Sequence, residues 1–146
     1  IRLPKSFEQI EWYGRGPWEN YADRKQAAMI GRYESTPTQM NTPYVKPCEC
    51  GGRSDVRYVT VSDGKYAFTV TAGADFQFSA LPYSLKQYDA AAYADELGEC
   101  EGTYLMLDAY HTGLGGDTGW FCTIHPEYWI RKGVYSCRFV MEMQKL

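Results

Sequence analysis

The segment 108–120 brings two aspartates and a histidine together in a stretch that contains four glycines. A histidine oriented by a carboxylate can act as a general base, so His111 with Asp108 or Asp117 is a candidate for that chemistry. A histidine beside a strand end is more often a structural hydrogen-bonding residue, and the spacing shows neither a Ser-His-Asp nor a Cys-His arrangement. No Lys-Ser or Lys-Thr pair and no helical pattern follows the glycines, which excludes a nucleotide-binding loop. The roles of His111 and Asp117 stay open at the level of sequence.

Trp120 ends this glycine-rich segment. A loop of this composition is mobile or tightly turned, and it gives Trp120 little reason to serve core packing alone. Aromatic residues make up 16% of the chain, with 13 Tyr, 6 Phe and 4 Trp. For any single ring the commoner role is that of a β-sheet residue. The alternative is sugar binding, in which a flat apolar ring stacks on the C–H face of a pyranose.

Residues 14–24 (GRGPWENYADR) combine glycines and a proline, which fix a loop, with charges of both signs. Glu19, Asp23 and Arg24 are close enough in sequence to form an Arg–carboxylate clamp. Such a clamp would more often only hold the loop, because the backbone groups of a loop need polar partners. A second rigid loop, 41–49, contains two prolines and Tyr44, which can present a ring or a hydroxyl.

The five cysteines are odd in number and irregular in spacing. Cys48-Glu49-Cys50 lacks the spacer of about two to four residues found in zinc knuckles, and no second pair follows, so no metal ligand is assigned. Cys137 lies on an apolar strand face and is interpreted as a small core residue. Reduced thiols in a cytoplasmic setting fit this pattern best, and an oxidising compartment is also compatible with it.

The elements that must position these loops are mostly strands. Apolar runs, several with period-two alternation, predict strands at 9–13, 27–33, 56–61, 66–70 and 76–79, and an apolar face recurs over 135–143. Asp63-Gly64 between two of these runs predicts a hairpin. The segment 84–97 has near-helical spacing with Ser84 as N-cap, so at most one short helix is expected. Strands separated by Gly- and Pro-rich turns predict an all-β fold, an antiparallel sandwich.

Length and composition predict a single domain over residues 1–146, with 45% hydrophobic and 23% charged residues. The net charge is −3 and no basic stripe is present, which argues against nucleic acid as a partner. No apolar run approaches the roughly 20 residues of a membrane-spanning helix. No signal peptide is visible. The first residues resemble the middle of a domain, so we expect a piece of a longer protein.

Taken together, these loops resemble the C-terminal small-chain domain of the β-galactosidases of glycoside hydrolase family two. The segments that carry the resemblance are 12–24 (WYGRGPWENYADR), 42–47 (TPYVKP), Gly51 with Arg53, 75–79 (DFQFS) and 111–120 (HTGLGGDTGW). One such loop alone is weak support, whereas all of them in order over nearly the whole chain are specific. The chain departs from the family pattern at Cys50, where asparagine is common, near Tyr93, and at Thr118-Gly119.

The resemblance implies an antiparallel β super-sandwich like that of the galactose mutarotases, of which this chain would be the C-terminal half. It implies hydrolysis of terminal β-galactosides with retention, by two glutamates on an upstream barrel domain. Glu19 and Glu49 are not those glutamates, so no catalytic residue is expected in this chain. A tryptophan at the position of Trp120 implies a substrate-binding aromatic wall for the sugar, with a partly exposed ring.

For the whole protein the resemblance implies magnesium and sodium, while no metal or other cofactor is expected in this chain. The expected partners are a galactoside substrate and upstream catalytic domains of the same chain, without nucleic acid or membrane. A homo-oligomer in the cytoplasm is expected. Alternatives remain open: a freestanding carbohydrate-binding module, a purely structural oligomerisation domain, or an epimerase of the mutarotase type. The epimerase would need a glutamate base and a histidine acid, and the available histidines are His111 and His125.

Overall fold

The computed structural model of the chain describes residues 1–117, 120–121 and 123–146. Its strands are β1 Arg2–Leu3, β2 Gln9–Gly16, β3 Met29–Ser35, β4 Arg53–Ser62, β5 Tyr66–Leu81, β6 Thr103–Asp108 and β7 Phe139–Lys145. Its helices are α1 Pro37–Met40 and α2 Leu85–Ala90, with 3₁₀ turns at Ala94–Leu97 and Pro126–Tyr128. The all-β class predicted from the sequence is confirmed, and the antiparallel pairing of the strands is consistent with the predicted sandwich.

The strands form one antiparallel sheet in the order β1-β6-β5-β4-β2-β3, and β7 also pairs with β5. Along one edge, β5 pairs with two strands: residues 66–72 pair with β7 and residues 77–81 pair with β6. The sequence predicts two separate strands here, because the alternation of apolar and polar residues stops near Gly73. In the structure the backbone stays extended through that point and forms one strand. On its other edge β5 pairs with β4, whose register shifts between Arg53 and Tyr58. Such shifts mark a β-bulge, which bends the strand.

The hydrophobic core lies against this sheet, and residues 76–81 of β5 are buried on both faces. β2 alternates between exposed and buried residues, and Ile10 and Trp12 are 1% and 0% exposed. Ile10 lies opposite Val61 and Trp12 lies opposite Val59, so that apolar side chains form rows across the strands. Burying a large apolar side chain of this kind stabilises a fold by about 1.5–3 kcal/mol. This apolar burial stabilises the sheet from which the loops extend.

A second short helix, α1, was not expected from the sequence. The Thr36 side chain accepts a hydrogen bond from the third residue of this helix, and Pro37 occupies its first turn. The same residues end a strand equally well, so their types alone do not distinguish the two structures. The predicted helix does begin after Ser84, which forms a capping box with Gln87, but it ends at Ala90. Within the described part of the chain, no helix has the length and apolarity needed to cross a membrane.

The C-terminal strand differs from the predicted apolar face. β7 begins at Phe139, and Cys137 lies before it and is exposed, so the interpretation of Cys137 as a core residue is wrong. Phe139 packs edge-to-face against Phe76 with ring centroids 5.5 Å apart. Met141 and Met143 are 47% and 54% exposed. Period-two alternation identifies which residues share a face, but it does not reveal whether another layer covers that face.

Candidate functional site

Three loops leave the sheet side by side. Gly14 near the end of β2 lies against Val56 in β4, where an added Cβ would come within 2.7 Å of Val56 Cγ2. Gln77 in β5, the neighbour of β4, pairs with Asp108 at the end of β6. The loops are residues 17–24, here called the hub loop, residues 41–52, and residues 111–125, here called the ring loop. Thr118, Gly119 and Cys122 of the ring loop lie outside the described residues.

Glu19 joins the hub loop to residues 41–52. Its carboxylate accepts hydrogen bonds from the hydroxyls of Thr42 at 3.0 Å and Tyr44 at 2.7 Å, and from the backbone N–H of Gly51 at 2.6 Å. Charge-assisted hydrogen bonds of this kind are strong, and the bond to Glu19 raises the pKa of the Tyr44 hydroxyl to about 12. A carboxylate that shares its charge with several donors is a weak nucleophile, so Glu19 ties two loops together.

Asn20 and Tyr21 join the hub loop to the start of β4. Asn20 is 1% exposed, and its Oδ1 accepts from the backbone N–H of Ser54 at 3.0 Å and from the Ser54 hydroxyl at 2.5 Å. The Tyr21 hydroxyl accepts from the backbone N–H of Gly52 at 3.3 Å, and burial raises the Tyr21 pKa above its ordinary value. The Tyr21 ring also packs against the imidazole of His111, with centroids 5.4 Å apart.

Asp23 joins the hub loop to the ring loop. Its Oδ2 accepts from the backbone N–H of Gly115 at 2.7 Å, across 92 positions of sequence. Partial burial raises the pKa of Asp23, but hydrogen bonds from the backbone of Gly115 and Leu114 outweigh it and hold the pKa below its ordinary value. A Cβ added at Gly113 would lie 2.6 Å from Asp23 Oδ2. The glycine-rich segment therefore fits closely around this carboxylate.

The predicted clamp between Arg24 and the carboxylate of Glu19 or Asp23 is wrong. In the part of the chain that the structure describes, Arg24 forms no ion pair. Beside the hub loop, Asp55 forms ion pairs instead, with Arg15 Nε at 2.5 Å and Lys25 Nζ at 2.9 Å. Although burial raises it, the pKa of Asp55 is lowered overall by Lys25 and Arg15. Asp55 has a φ of 51°, which is uncommon for a residue other than glycine, so these cations stabilise an unusual backbone conformation.

Cys50 occupies the position at which asparagine is common in the family that the sequence resembles. The residue is buried, and its Sγ accepts from the backbone N–H of Thr42 at 3.3 Å and lies 3.5 Å from Asn41 Oδ1. Burial raises the pKa of this thiol to about 11. The neutral thiol thus takes part in the hydrogen bonding of the 41–52 loop.

The base of the ring loop is held by backbone contacts. The hydroxyl of Thr112 and the backbone N–H of Gly113 both donate to the carbonyl of Tyr128, at 3.1 Å and 3.0 Å. Gly115 has a φ of +69°, and a Cβ there would lie 2.5 Å from the carbonyl oxygen of Thr123. The two ends of the loop therefore meet at a place where a side chain would not fit.

Trp120 and Phe121 lie in the middle of the ring loop and face solvent. They are 82% and 64% exposed, and their rings meet edge to face with centroids 6.2 Å apart. Asp117 Oδ2 and His125 Nε2 pair at 2.6 Å on either side of them in sequence, and both side chains are more than half exposed. The Trp120 ring is exposed as expected, and its contact with a sugar stays a prediction. Phe121 was not singled out, although its position next to Trp120 is a signal in the sequence.

His111 is not oriented by Asp117, because Asp117 pairs with His125. The Nδ1 atom of His111 lies 2.5 Å from the carbonyl oxygen of Thr112. Burial raises the pKa of Asp108, and the proximity of His111 opposes that shift. His111 is thus a packed residue that bonds to backbone, which is the commoner of the roles that its sequence position suggested.

A small cavity of about 130 Å³ lies at the base of the loops, lined in part by Asp55, Asp108 and His111. Pockets for small-molecule ligands usually measure roughly 300–1,000 Å³. Among the larger depressions, one of about 550 Å³ lies beside Ile10 and Leu146, away from these loops, and one of about 560 Å³ lies between residues 46–49 of the 41–52 loop and α2. Among the described residues, no group of three or more His, Cys, Asp or Glu side chains could hold a metal ion. The site therefore consists of an exposed pair of rings above three interlocked loops.

Comparison with known proteins agrees with this architecture. Residues 1–141 match the family model described as beta galactosidase small chain. The chain is 36% identical over 144 residues to the beta-galactosidase of Vibrio cholerae, 37% over 134 residues to that of Aeromonas hydrophila, and 35% over 135 residues to that of Lactococcus lactis. These matches cover 99%, 92% and 92% of this chain, but 14%, 12% and 13% of the length of the relatives.

The sheet and its interlocked loops thus form an all-β structure whose sequence matches a part of each of several much longer proteins. The chain belongs to the beta-galactosidase small-chain family. It spans a small fraction of the length of the curated relatives that it matches.

Proposed function

We propose that the chain is the accessory segment of a larger retaining β-galactosidase, which hydrolyses terminal β-galactosides, and that Trp120 forms an aromatic wall of its sugar site. The observation that carries this proposal is an indole ring that is 82% exposed, on a glycine-rich loop, in a member of the beta-galactosidase small-chain family. A large apolar ring in water gains free energy when another surface covers it. The C–H face of a galactosyl ring is a surface of matching shape and polarity.

Three carboxylates in and beside the interlocked loops, Glu19, Asp23 and Asp55, have structural duties. Retention needs two carboxyl groups roughly 5–5.5 Å apart, one as nucleophile and one as acid and base. Glu19 is occupied by three donors, Asp23 by backbone N–H groups and Asp55 by two cations. We therefore assign both catalytic glutamates to another domain of the larger protein. In this proposal the chain binds and orients the sugar and excludes water from one side of it.

The remaining parts of the proposal concern the larger protein. Magnesium and sodium would bind outside this chain, since the described residues offer no group of ligating side chains for a metal ion. The partners would be the galactoside and the catalytic domains of the same protein. The assembly would be a homo-oligomer in the cytoplasm, without nucleic acid or membrane as a partner.

Substitution of Trp120 in the full-length protein tests the aromatic wall. Trp120→Ala should lower kcat/KM for an aryl β-galactoside by roughly one to two decades, because one stacked ring is worth ~1–3 kcal/mol. Trp120→Phe keeps a flat apolar ring and should restore most of the loss. Tyr93→Ala removes another exposed ring, 63% accessible and distant in sequence, and is the matched control. Unchanged kinetics in folded Trp120→Ala would remove Trp120 from the sugar site.

The chain on its own tests where the chemistry resides. We expect purified residues 1–146 to release no chromophore from a chromogenic β-galactoside above the rate in buffer, because Glu19, Asp23 and Asp55 are engaged in structural bonds. The control is the full-length protein at the same molar concentration. Turnover by the chain alone, in protein free of host enzyme, would move the chemistry into this segment. The first residues to substitute would then be Glu49 and Asp108, whose pKa values burial raises.

A further inference from the structure

We propose that Asp23 is a positioning residue for the sugar contact of Trp120. Its carboxylate fixes the ring loop against the hub loop and thereby sets where the indole ring stands. This inference rests on the proposed function, because it concerns the same sugar contact. It adds a residue in a different loop, 92 positions away from the glycine that it binds.

Asp23 is itself held in place. It lies in a turn whose ends pair through the backbone, with the N–H of Tyr21 donating to the carbonyl of Arg24 at 3.3 Å and the N–H of Arg24 donating to the carbonyl of Tyr21 at 2.8 Å. The turn follows Asn20, which is buried and bound to Ser54 at the start of β4. The turn and the hydrogen bond from Ser54 to Asn20 therefore connect Asp23 to the sheet.

The ring loop closes around that carboxylate. Asp23 Oδ2 accepts from the N–H of Gly115, and the backbone of Leu114 also lowers the Asp23 pKa. An added Cβ at Gly113 would come within 2.8 Å of Asp23 Cγ and 2.9 Å of Tyr128 Cβ. Three consecutive residues of the ring loop, 113–115, thus lie close around the side chain of Asp23. The contacts with Tyr128, by comparison, join the ring loop to residues that follow it directly in the chain.

Among the described residues, the Trp120 ring meets the ring of Phe121, which belongs to the same loop, and the two are 82% and 64% exposed. A change in where the base of the loop is held should therefore change the position of the indole. Because misplacing a binding group by about 1 Å can cost up to about 10²-fold in rate, release of the base should be visible in kinetics.

The test is a double-mutant cycle in the full-length protein, with KM and kcat measured on an aryl β-galactoside. Asp23→Ala should raise KM roughly tenfold and change kcat much less, because the ring is misplaced while the chemistry is intact. Asp23→Asn keeps an oxygen that can accept from Gly115 and should recover most of the loss. In the Trp120→Ala background, Asp23→Ala should have little further effect on KM, since the ring that it positions is gone.

Asp63 provides a matched control. Its Oδ1 accepts from the backbone N–H groups of Lys65 at 2.9 Å and Tyr66 at 2.8 Å, so it performs the same chemical task in a turn. That turn joins the end of β4 to β5, whereas the hub loop contacts the start of β4. Asp63→Ala should therefore leave KM unchanged, and it controls for the general effect of removing a carboxylate that binds backbone.

The outcomes separate this inference from the proposed function. If Trp120→Ala itself leaves KM unchanged, the proposed sugar contact fails, and the role of Asp23 fails with it. If Trp120→Ala weakens binding while Asp23→Ala does not, the positioning role alone is overturned. It is also overturned if Asp23→Ala multiplies the loss in the Trp120→Ala background. Should Asp23→Ala not fold, Asp23→Ser replaces it, because serine suits a turn but is too short to reach Gly115.

Discussion

The hub loop and the ring loop leave the same part of the sheet, but their side chains do opposite things. In the hub loop, four polar side chains bind segments outside the loop: Glu19, Asn20, Tyr21 and Asp23. In the ring loop the large side chains, Trp120 and Phe121, face solvent, and the loop is held through its backbone. The hub loop holds neighbouring segments in place, and the ring loop presents exposed rings to solvent.

The difference follows from composition. Glycine permits the sharp closure at Gly113 and Gly115, but it also loses more conformational freedom on folding than any other residue. A glycine-rich loop therefore needs anchors from elsewhere to hold one geometry. The hub loop supplies such an anchor through Asp23. It can do so because other side chains of the hub loop are hydrogen-bonded to residues 51–54. The two loops therefore act as a pair: side chains of the hub loop hold other segments in place, and the ring loop presents two exposed rings.

Asn20→Ala should give the largest effect on stability and so tests this division. The substitution leaves the backbone N–H and hydroxyl of Ser54 without an acceptor in a buried place, which costs about 1–3 kcal/mol. Trp120→Ala, in contrast, removes an exposed ring and should change stability by less than ~0.5 kcal/mol. Urea unfolding of the chain and both variants measures the difference.

A second variant sharpens the same comparison. Asn20→Asp keeps the Oδ1 acceptor for Ser54 but replaces the amide donor to the carbonyl of Trp18, 2.8 Å away, with a carboxylate oxygen. Because Asn20 is 1% exposed, this buries a charge, and at neutral pH Asn20→Asp should destabilise the chain at least as much as Asn20→Ala. If Trp120→Ala destabilised the chain more than Asn20→Ala, the indole would be a structural residue and the division between the loops would be wrong.

Local features of the fold were predictable from the sequence. Residues 56–61 and 66–70 lie within β4 and β5, and the hairpin predicted at Asp63-Gly64 joins them. Gly64 has a φ of +80°, and Asp63 accepts from the backbone of the turn. These features depend on neighbours in sequence, and alternation and turn chemistry are local signals.

Contacts between distant segments were not predictable in the same way. Arg15 and Asp55 are 40 positions apart, and nothing in their spacing distinguishes this pair from Arg24 with a nearby acid. Cys137 was misassigned because alternation does not show whether a second layer covers a strand. The exposure of Trp120 was expected, since the composition of its loop already argued against a core position. What the sequence lacked was the link from that loop to Asp23.

The pair of Asp117 and His125 should give the smallest effect, and one that depends on pH. The hydrogen bond from His125 to Asp117 raises the pKa of His125 above its ordinary value of 6.5. A raised histidine pKa contributes stability that is fully present below 6.5 and is lost as the pH rises through the higher pKa of the folded state. The ring loop should therefore be held slightly more firmly at about pH 6 than at about pH 8.

The measurement is an NMR titration of the His125 ring protons in the chain, with Asp117→Asn as control. The pKa should lie above 6.5 in the parent and fall towards that value in the variant, because the charged partner is gone. Both side chains are more than half exposed, and exposed ion pairs contribute little. In the full-length protein, His125→Gln should therefore change KM by less than about twofold, well below the effect of Asp23→Ala. If His125→Gln raised KM as much as Asp23→Ala, the exposed pair would hold the ring loop as strongly as the hub loop does. The ring loop would then not depend on the hub loop for its position.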